Sequence, residues 1–188
     1  MKQLKYGLIL FVFLAIPPVA SILESIMIMH MHMQMPLLVF AGFLMAPFFQ
    51  SKFPKLFSNW NEDGIPGILL FIVVMVYWMI PKTMDDALTT VSVEVFKFIS
   101  LPFLAGIPLR DSWNKIGPNM KKAVFILFTA LFYVMGFLYI KAPIQLCNNY
   151  LLIDQITLGW GYMTMAICFS IYLIYIAFTD KQEPIEQK

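Results

Sequence analysis

Six apolar runs, each about 18 residues or longer, leave this 188-residue chain few folds to choose from. They read as residues 6–23, 26–49, 64–81, 91–109, 122–141 and 156–178. At about 1.5 Å of rise per residue, a helix of that length crosses a hydrocarbon layer roughly 30 Å thick. In lipid every backbone N–H and C=O must find its partner inside the protein, so runs of this kind become helices. The expectation is an all-α, polytopic transmembrane bundle of about six spans, forming one transmembrane domain over residues 1–188. A hydrophobic fraction of 60%, only 13% charged residues and a mean hydropathy of +0.77 exclude a soluble domain of this size.

The cations supply an orientation. With six spans and an inner N-terminus, Lys2, Lys5, Lys52, Lys55, Arg110, Lys115, Lys121, Lys122, Lys181 and Lys188 all fall on the inner side. Lys82 and Lys141 remain at the outer edges, and Lys97 lies within the fourth span. This is the positive-inside bias, and it places both termini on the inner side of a plasma membrane. The net charge of +2 is thereby explained by topology and gives no reason to expect a nucleic-acid partner. Lys2 and Lys5 followed by an apolar run and Pro17-Pro18-Val19-Ala20-Ser21 read as an uncleaved first span; cleavage there would leave five spans in the same orientation.

The second span begins with an unusual stretch, Met27 to Met35, reading MIMHMHMQM beneath Glu24. Thioethers and imidazoles are ligands suited to copper, above all Cu(I). His30 and His32 are two residues apart and point about 200° away from each other on a regular helix, so one metal cannot take both unless the turn unwinds. Met29, His32 and Met33 share one face; Met27, His30, Met31 and Gln34 share the other. Methionine also fills irregular cores without binding anything, whereas an imidazole inside a membrane generally has a function.

The same topology gathers other polar residues at the outer side. Glu24 lies in the first outer turn, with the histidines about 6–9 Å deeper. Met79, Met84, Asp85 and Asp86 occupy the end of the third span and the second outer loop, Cys147, Asn148, Asn149, Asp154 and Gln155 occupy the last outer loop, and Met163 lies at about the depth of the histidines. Cys147 and Cys168 differ too much in depth to form a disulfide. Glu94 and Lys97, three apart on one face of the fourth span, are placed to pair. Prolines 17, 18, 102 and 108 imply kinks or local unwinding. The inner segment 50–63, with Phe53, Leu56, Phe57 and Trp60 among lysines, reads as lying in the membrane interface. The tail 179–188 reads as polar and disordered.

Several of these residues resemble the CtaG-type cytochrome oxidase assembly proteins, a copper-associated membrane family. Met29-His30-Met31-His32-Met33 resembles the family's histidine- and methionine-rich turn, Trp78-Met79-Ile80-Pro81 with Asp86-Ala87-Leu88 its Trp-His-x-Pro and Asp-Ala-Leu segments, and Asp154-Gln155 with Gly159 a later pair. Met79 stands where the family has histidine, and Ile28 where it has the first histidine of its turn, so the resemblance is that of a divergent, shortened member. The resemblance implies metal ligation by Met29, His32 and Met33, with His30, Met79, Asp154, Met163 and Asp86 as further ligands or attracting charges. It implies no enzymatic reaction but Cu(I) delivery to, or assembly of, a respiratory oxidase or other membrane copper enzyme. Lipid and such an enzyme would be the partners. The alternative is a metal-free scaffold or accessory subunit of a larger membrane complex. No Ser-His-Asp order, phosphate loop or HExxH supports an enzyme, and no repeated halves support a transporter.

Overall fold

The computed structural model describes residues 2–179, and every regular element in them is a helix. Met1 and residues 180–188, which hold the polar tail, lie outside the described residues. Nine helical segments follow one another: α1 (Lys2–Ala15), α2 (Pro17–Glu24), α3 (Met27–Lys52), α4 (Pro54–Trp60), α5 (Ile65–Met79), α6 (Pro81–Thr89), α7 (Val91–Trp113), α8 (Pro118–Lys141) and α9 (Leu152–Thr179). α3, α7, α8 and α9 are each long and apolar enough to cross a membrane. The pairs α1–α2 and α4–α5 pass the same test only as bent units, broken by 70° and 88°. The bundle therefore carries four to six candidate spans.

Proline explains the irregularities. Pro17 and Pro18 open α2 where α1 ends, and the axis turns there. Inside α3 the residues His30–Gln34 form a π-helical turn, with Met35 N–H donating to the His30 carbonyl, and Pro36 follows directly. A proline ring at 36 would collide with the carbonyl of His32 in an unbroken α-helix and offers it no N–H, so the backbone widens by one residue. α7 does the same over Ser100–Gly106, around Pro102 and just before Pro108.

Lipid is as apolar as leucine, so close backbone approach rather than the hydrophobic effect must hold spans together. α3 meets α7 at Gly42, where an added Cβ would fall 1.9 Å from the Pro102 carbonyl oxygen, and at Gly106, where it would fall 2.2 Å from that of Val39. α8 and α9 meet through Gly136 and Gly159. Side chains such as Val73, Ile126, Phe137 and Ile171 point outward, each more than half exposed, as a lipid-facing surface requires.

Polar clamps close both ends. At one end the Asp111 carboxylate accepts from Gln50 (2.7 Å), Asn61 (2.6 Å) and Lys115 (2.7 Å), while Asn61 Oδ1 accepts from the Gly67 N–H (2.8 Å). Gly64, at φ +76°, makes the left-handed turn from α4 into α5. α4 itself buries none of its side chains, and Phe53, Leu56 and Trp60 stand exposed. At the other end Asp85 binds the Asn149 N–H and amide (3.0 and 2.8 Å), and Tyr150 O–H donates to the Glu24 carbonyl (2.7 Å). The segments 16–30, 80–90 and 142–155 therefore form one cap.

Candidate functional site

Beneath this cap the two histidines do different work. Tyr150 O–H is already committed to the Glu24 carbonyl, so at the 3.0 Å contact with His30 it must accept, and His30 Nδ1 carries the proton. His30 Nε2 is then the acceptor for the Lys97 ammonium at 3.3 Å. Lys97 completes its three donors with the Glu24 carboxylate, its ion-pair partner, and Gln34 Oε1 (3.4 Å). Gln34 Nε2 returns to Glu24 Oε1 at 2.9 Å. Lys97, His30 and Gln34 are all fully buried. Each polar atom that could orient this network has a partner, so His30 is a structural imidazole with neither nitrogen free for a metal.

Lys97 therefore pairs with Glu24, 73 residues away in sequence, rather than with its helical neighbour Glu94. Glu94 is half-buried and shares with Glu24, Ser21 and Ser25 the wall of an opening of about 380 Å³.

His32 turns the other way. Its ring packs on Tyr162 with centroids 4.7 Å apart, and it is engaged by the backbone of Gly161. Its Nδ1 is buried with no hydrogen-bond partner. The imidazole lines a cavity of about 280 Å³ whose wall also contains Met31, Met35, Met75, Met79 and Met165, closed by Trp78, Leu101, Phe132 and Tyr162. Trp78 is fixed by donating to Ser100 Oγ at 2.9 Å. The five thioethers come from α3, α5 and α9, and among the described residues no charged side chain lines the cavity. Nor do three His, Cys, Asp or Glu side chains converge anywhere among the described residues, so a conventional hard or borderline metal cage is absent there. An imidazole engaged by the Gly161 backbone, with one buried nitrogen unpaired, shares the cavity wall with five thioethers, donor types that suit a soft monovalent ion.

Of the sites expected from sequence, His32 and Met79 come together at this cavity. Met29 is half-buried and Met33 is 46% exposed, both away from the wall. The face of α3 that the structure buries is the second one, Met27, His30, Met31 and Gln34. Met163 lies against Gly136 of α8. Asp154 caps α9 by accepting from the Leu151 N–H at 3.2 Å. Asp86 pairs with Lys82 on the surface at 2.7 Å. Met35 closes the methionine–histidine stretch, whereas Met75 and Met165 lie in no motif of their own. The spacing of Met27, Met31 and Met35 at four-residue intervals, matched by Met75 and Met79, is the signal that identifies the thioether wall.

Cys147 is buried in the cap, with its thiol donating weakly to the Pro81 carbonyl at 3.7 Å. Burial, helped by Asp85, pushes the thiol up to about 12. A raised thiol pKa means that the cap's stability contribution is intact below about 9 and is lost as pH climbs toward 12. In a Cys168→Ala background, maleimide labelling of the native protein at pH 8 should be at least about a hundredfold slower than after denaturation, accelerating with pH. Equal rates would show the thiol to be exposed.

No family model, no curated protein and no solved structure matches this chain.

Proposed function

We propose that this chain is a multi-pass plasma-membrane protein that holds Cu(I) at the His32 cavity and supplies it to a respiratory oxidase or another membrane copper enzyme. In this reading the bundle makes six spans, α1–α2 and α4–α5 each crossing as one bent unit, with both ends inside and the cap outside. The distribution of lysines supports that orientation, and the resemblance to CtaG-type proteins supports the role in assembly.

One observation carries the metal reading: an imidazole with an unpaired buried nitrogen opens onto a cavity lined by five methionines. Neutral thioether and imidazole ligands leave the charge of a bound ion unchanged. A monovalent ion is the least costly to hold so far from water, and Cu(I) is the one these ligands prefer. Divalent zinc or Cu(II) would find neither thiolate nor carboxylate to offset its charge. His32 would be the orienting ligand, with Met79 and its neighbours from α3, α5 and α9 offering the sulfurs. Flexible side chains of this kind exchange one at a time, which suits delivery rather than permanent storage.

The test is copper content of detergent-purified protein after anaerobic Cu(I) loading and desalting, beside a His32→Leu/Met79→Leu variant. About one copper per chain in the native protein, falling at least tenfold in the variant, is the expected result. No retained copper in either protein would leave a metal-free accessory subunit as the better reading. Equal copper in both would remove the cavity from consideration as the site.

A further inference from the structure

The thioether wall does not stop at the cavity. Along α3 the buried methionines continue from Met35 and Met31 to Met27, in steps of four residues or about 6 Å. Across from them Met75 and Met79 are followed, past the break at Ile80–Pro81, by Met84 of α6. Met27 and Met84 are both completely buried and belong to the same contiguous core as the cavity methionines. Both belong to the segments 16–30 and 80–90 that, with 142–155, make up the cap. Apolar filling of a membrane bundle does not require sulfur at each of these places, since leucine conserves the volume of methionine and is tolerated in packed cores. Met27, Met31 and Met35 place a soft donor atom at each successive helical turn, as do Met75 and Met79, and Met84 follows Met79 across the helix break.

We propose that Met27 and Met84 are transfer ligands, which extend the thioether wall toward the cap and carry Cu(I) stepwise between the cap and the His32 cavity. This rests on the reading of that cavity as a Cu(I) site. Each step forms one copper–sulfur bond as another breaks. Copper remains Cu(I) throughout, and no electron or proton moves. The neighbouring Lys97 ammonium does not obstruct this path electrostatically as a free charge would, because Glu24 neutralises it. Cys147 is a weaker outer ligand than Met84, since its thiol has to lose a proton before it can bind.

The experiment follows uptake of Cu(I) from its bicinchoninate complex by the full chain in detergent, under anaerobic conditions. Rate is read from loss of the complex's absorbance and endpoint from copper per chain. Met27→Leu/Met84→Leu and the single Met84→Leu change volume little, and thermal unfolding checks that each is folded. Met45→Leu, a buried methionine of α3 next to Gly7 and away from the cavity wall, is the control. The double variant is expected to load at least tenfold more slowly and to reach the native endpoint, with Met45→Leu at native rate. Native rate and endpoint in the double variant would show that Met27 and Met84 only pack. A lost endpoint would make them site ligands rather than transfer ligands, leaving the cavity reading intact. Absence of copper in the native protein would overturn both.

Discussion

Glu24→Gln is expected to be among the most damaging single substitutions in the chain, lowering stability by about 3–5 kcal/mol. Lys97 has no exposed side-chain surface, and the carboxylate in contact with its ammonium is that of Glu24, with Glu94 acting only as a weaker, more distant charge. Glutamine keeps the shape and one acceptor but removes the countercharge, leaving a buried cation in the low-dielectric interior of the bundle. Lys97→Met should cost less. Glu24 retains the Gln34 amide and lies at the wall of the 380 Å³ opening, where water can reach it. The double variant Glu24→Gln/Lys97→Met should recover much of the loss, because no buried charge remains, while His30 Nε2 still lacks its donor. Glu94→Gln serves as the control and should change stability by less than about 1 kcal/mol. Thermal unfolding in detergent reads the series, and about 3–5 kcal/mol corresponds to roughly 10 °C for a chain of this size. Should Glu94→Gln prove as harmful as Glu24→Gln, Lys97 would be paired along its own helix and the network described here would be wrong.

The same residues show what a sequence can and cannot reveal. Helix content and the apolar stretches are legible, because hydropathy and backbone satisfaction in lipid are local properties: the 122–141 and 156–178 runs correspond closely to Pro118–Lys141 and Leu152–Thr179. Prolines 17, 18, 102 and 108 foretell irregular backbone, and the structure turns that into a 70° bend and the π-helical turn of α7, while the π-helical turn of α3 ahead of Pro36 comes in addition. Pairing is different. Within one helix Glu94 is the nearest partner for Lys97, and nothing local indicates that α2 brings Glu24 closer. The choice between the two faces of the methionine–histidine turn fails for the same reason. His30 and Gln34 are buried because Lys97, Glu24 and Tyr150 arrive from three other segments to satisfy them. That satisfaction rotates Met33 toward the outside. His32, engaged by the Gly161 backbone, keeps its Nδ1 unpaired because its other neighbours are an aromatic ring and thioethers. The abundance of methionine around two histidines is legible in the sequence, whereas the convergence of α3, α5 and α9 is not.

Gly42→Val should abolish accumulation of folded protein almost completely. An ideal Cβ at Gly42 falls 1.9 Å from the Pro102 carbonyl oxygen and 2.6 Å from its Cα, so the obstacle is backbone and cannot swing aside. Valine would force α3 and α7 apart, with a cost on the order of 4 kcal/mol or more. The loss extends beyond the contact itself, since the tightly packed crossing is what replaces the hydrophobic effect between these spans. Gly106→Val meets the Val39 carbonyl from the opposite side and should behave alike, while Gly117→Ala, with nothing within 4 Å, should be neutral. Size-exclusion of detergent extracts measures the monodisperse fraction, expected below about a tenth of native for both valine variants. Native yield and native Tm in Gly42→Val would mean that α3 and α7 do not cross at this distance. Gly42→Ala is the more instructive substitution. It asks for a smaller displacement, but Leu101, beside Pro102, lines the cavity, and His32 and Met35 lie on α3 itself. A shift at the crossing therefore reaches the thioether wall. A folded Gly42→Ala protein with weakened Cu(I) retention, without any ligand having been changed, would show that the crossing sets the geometry of the site.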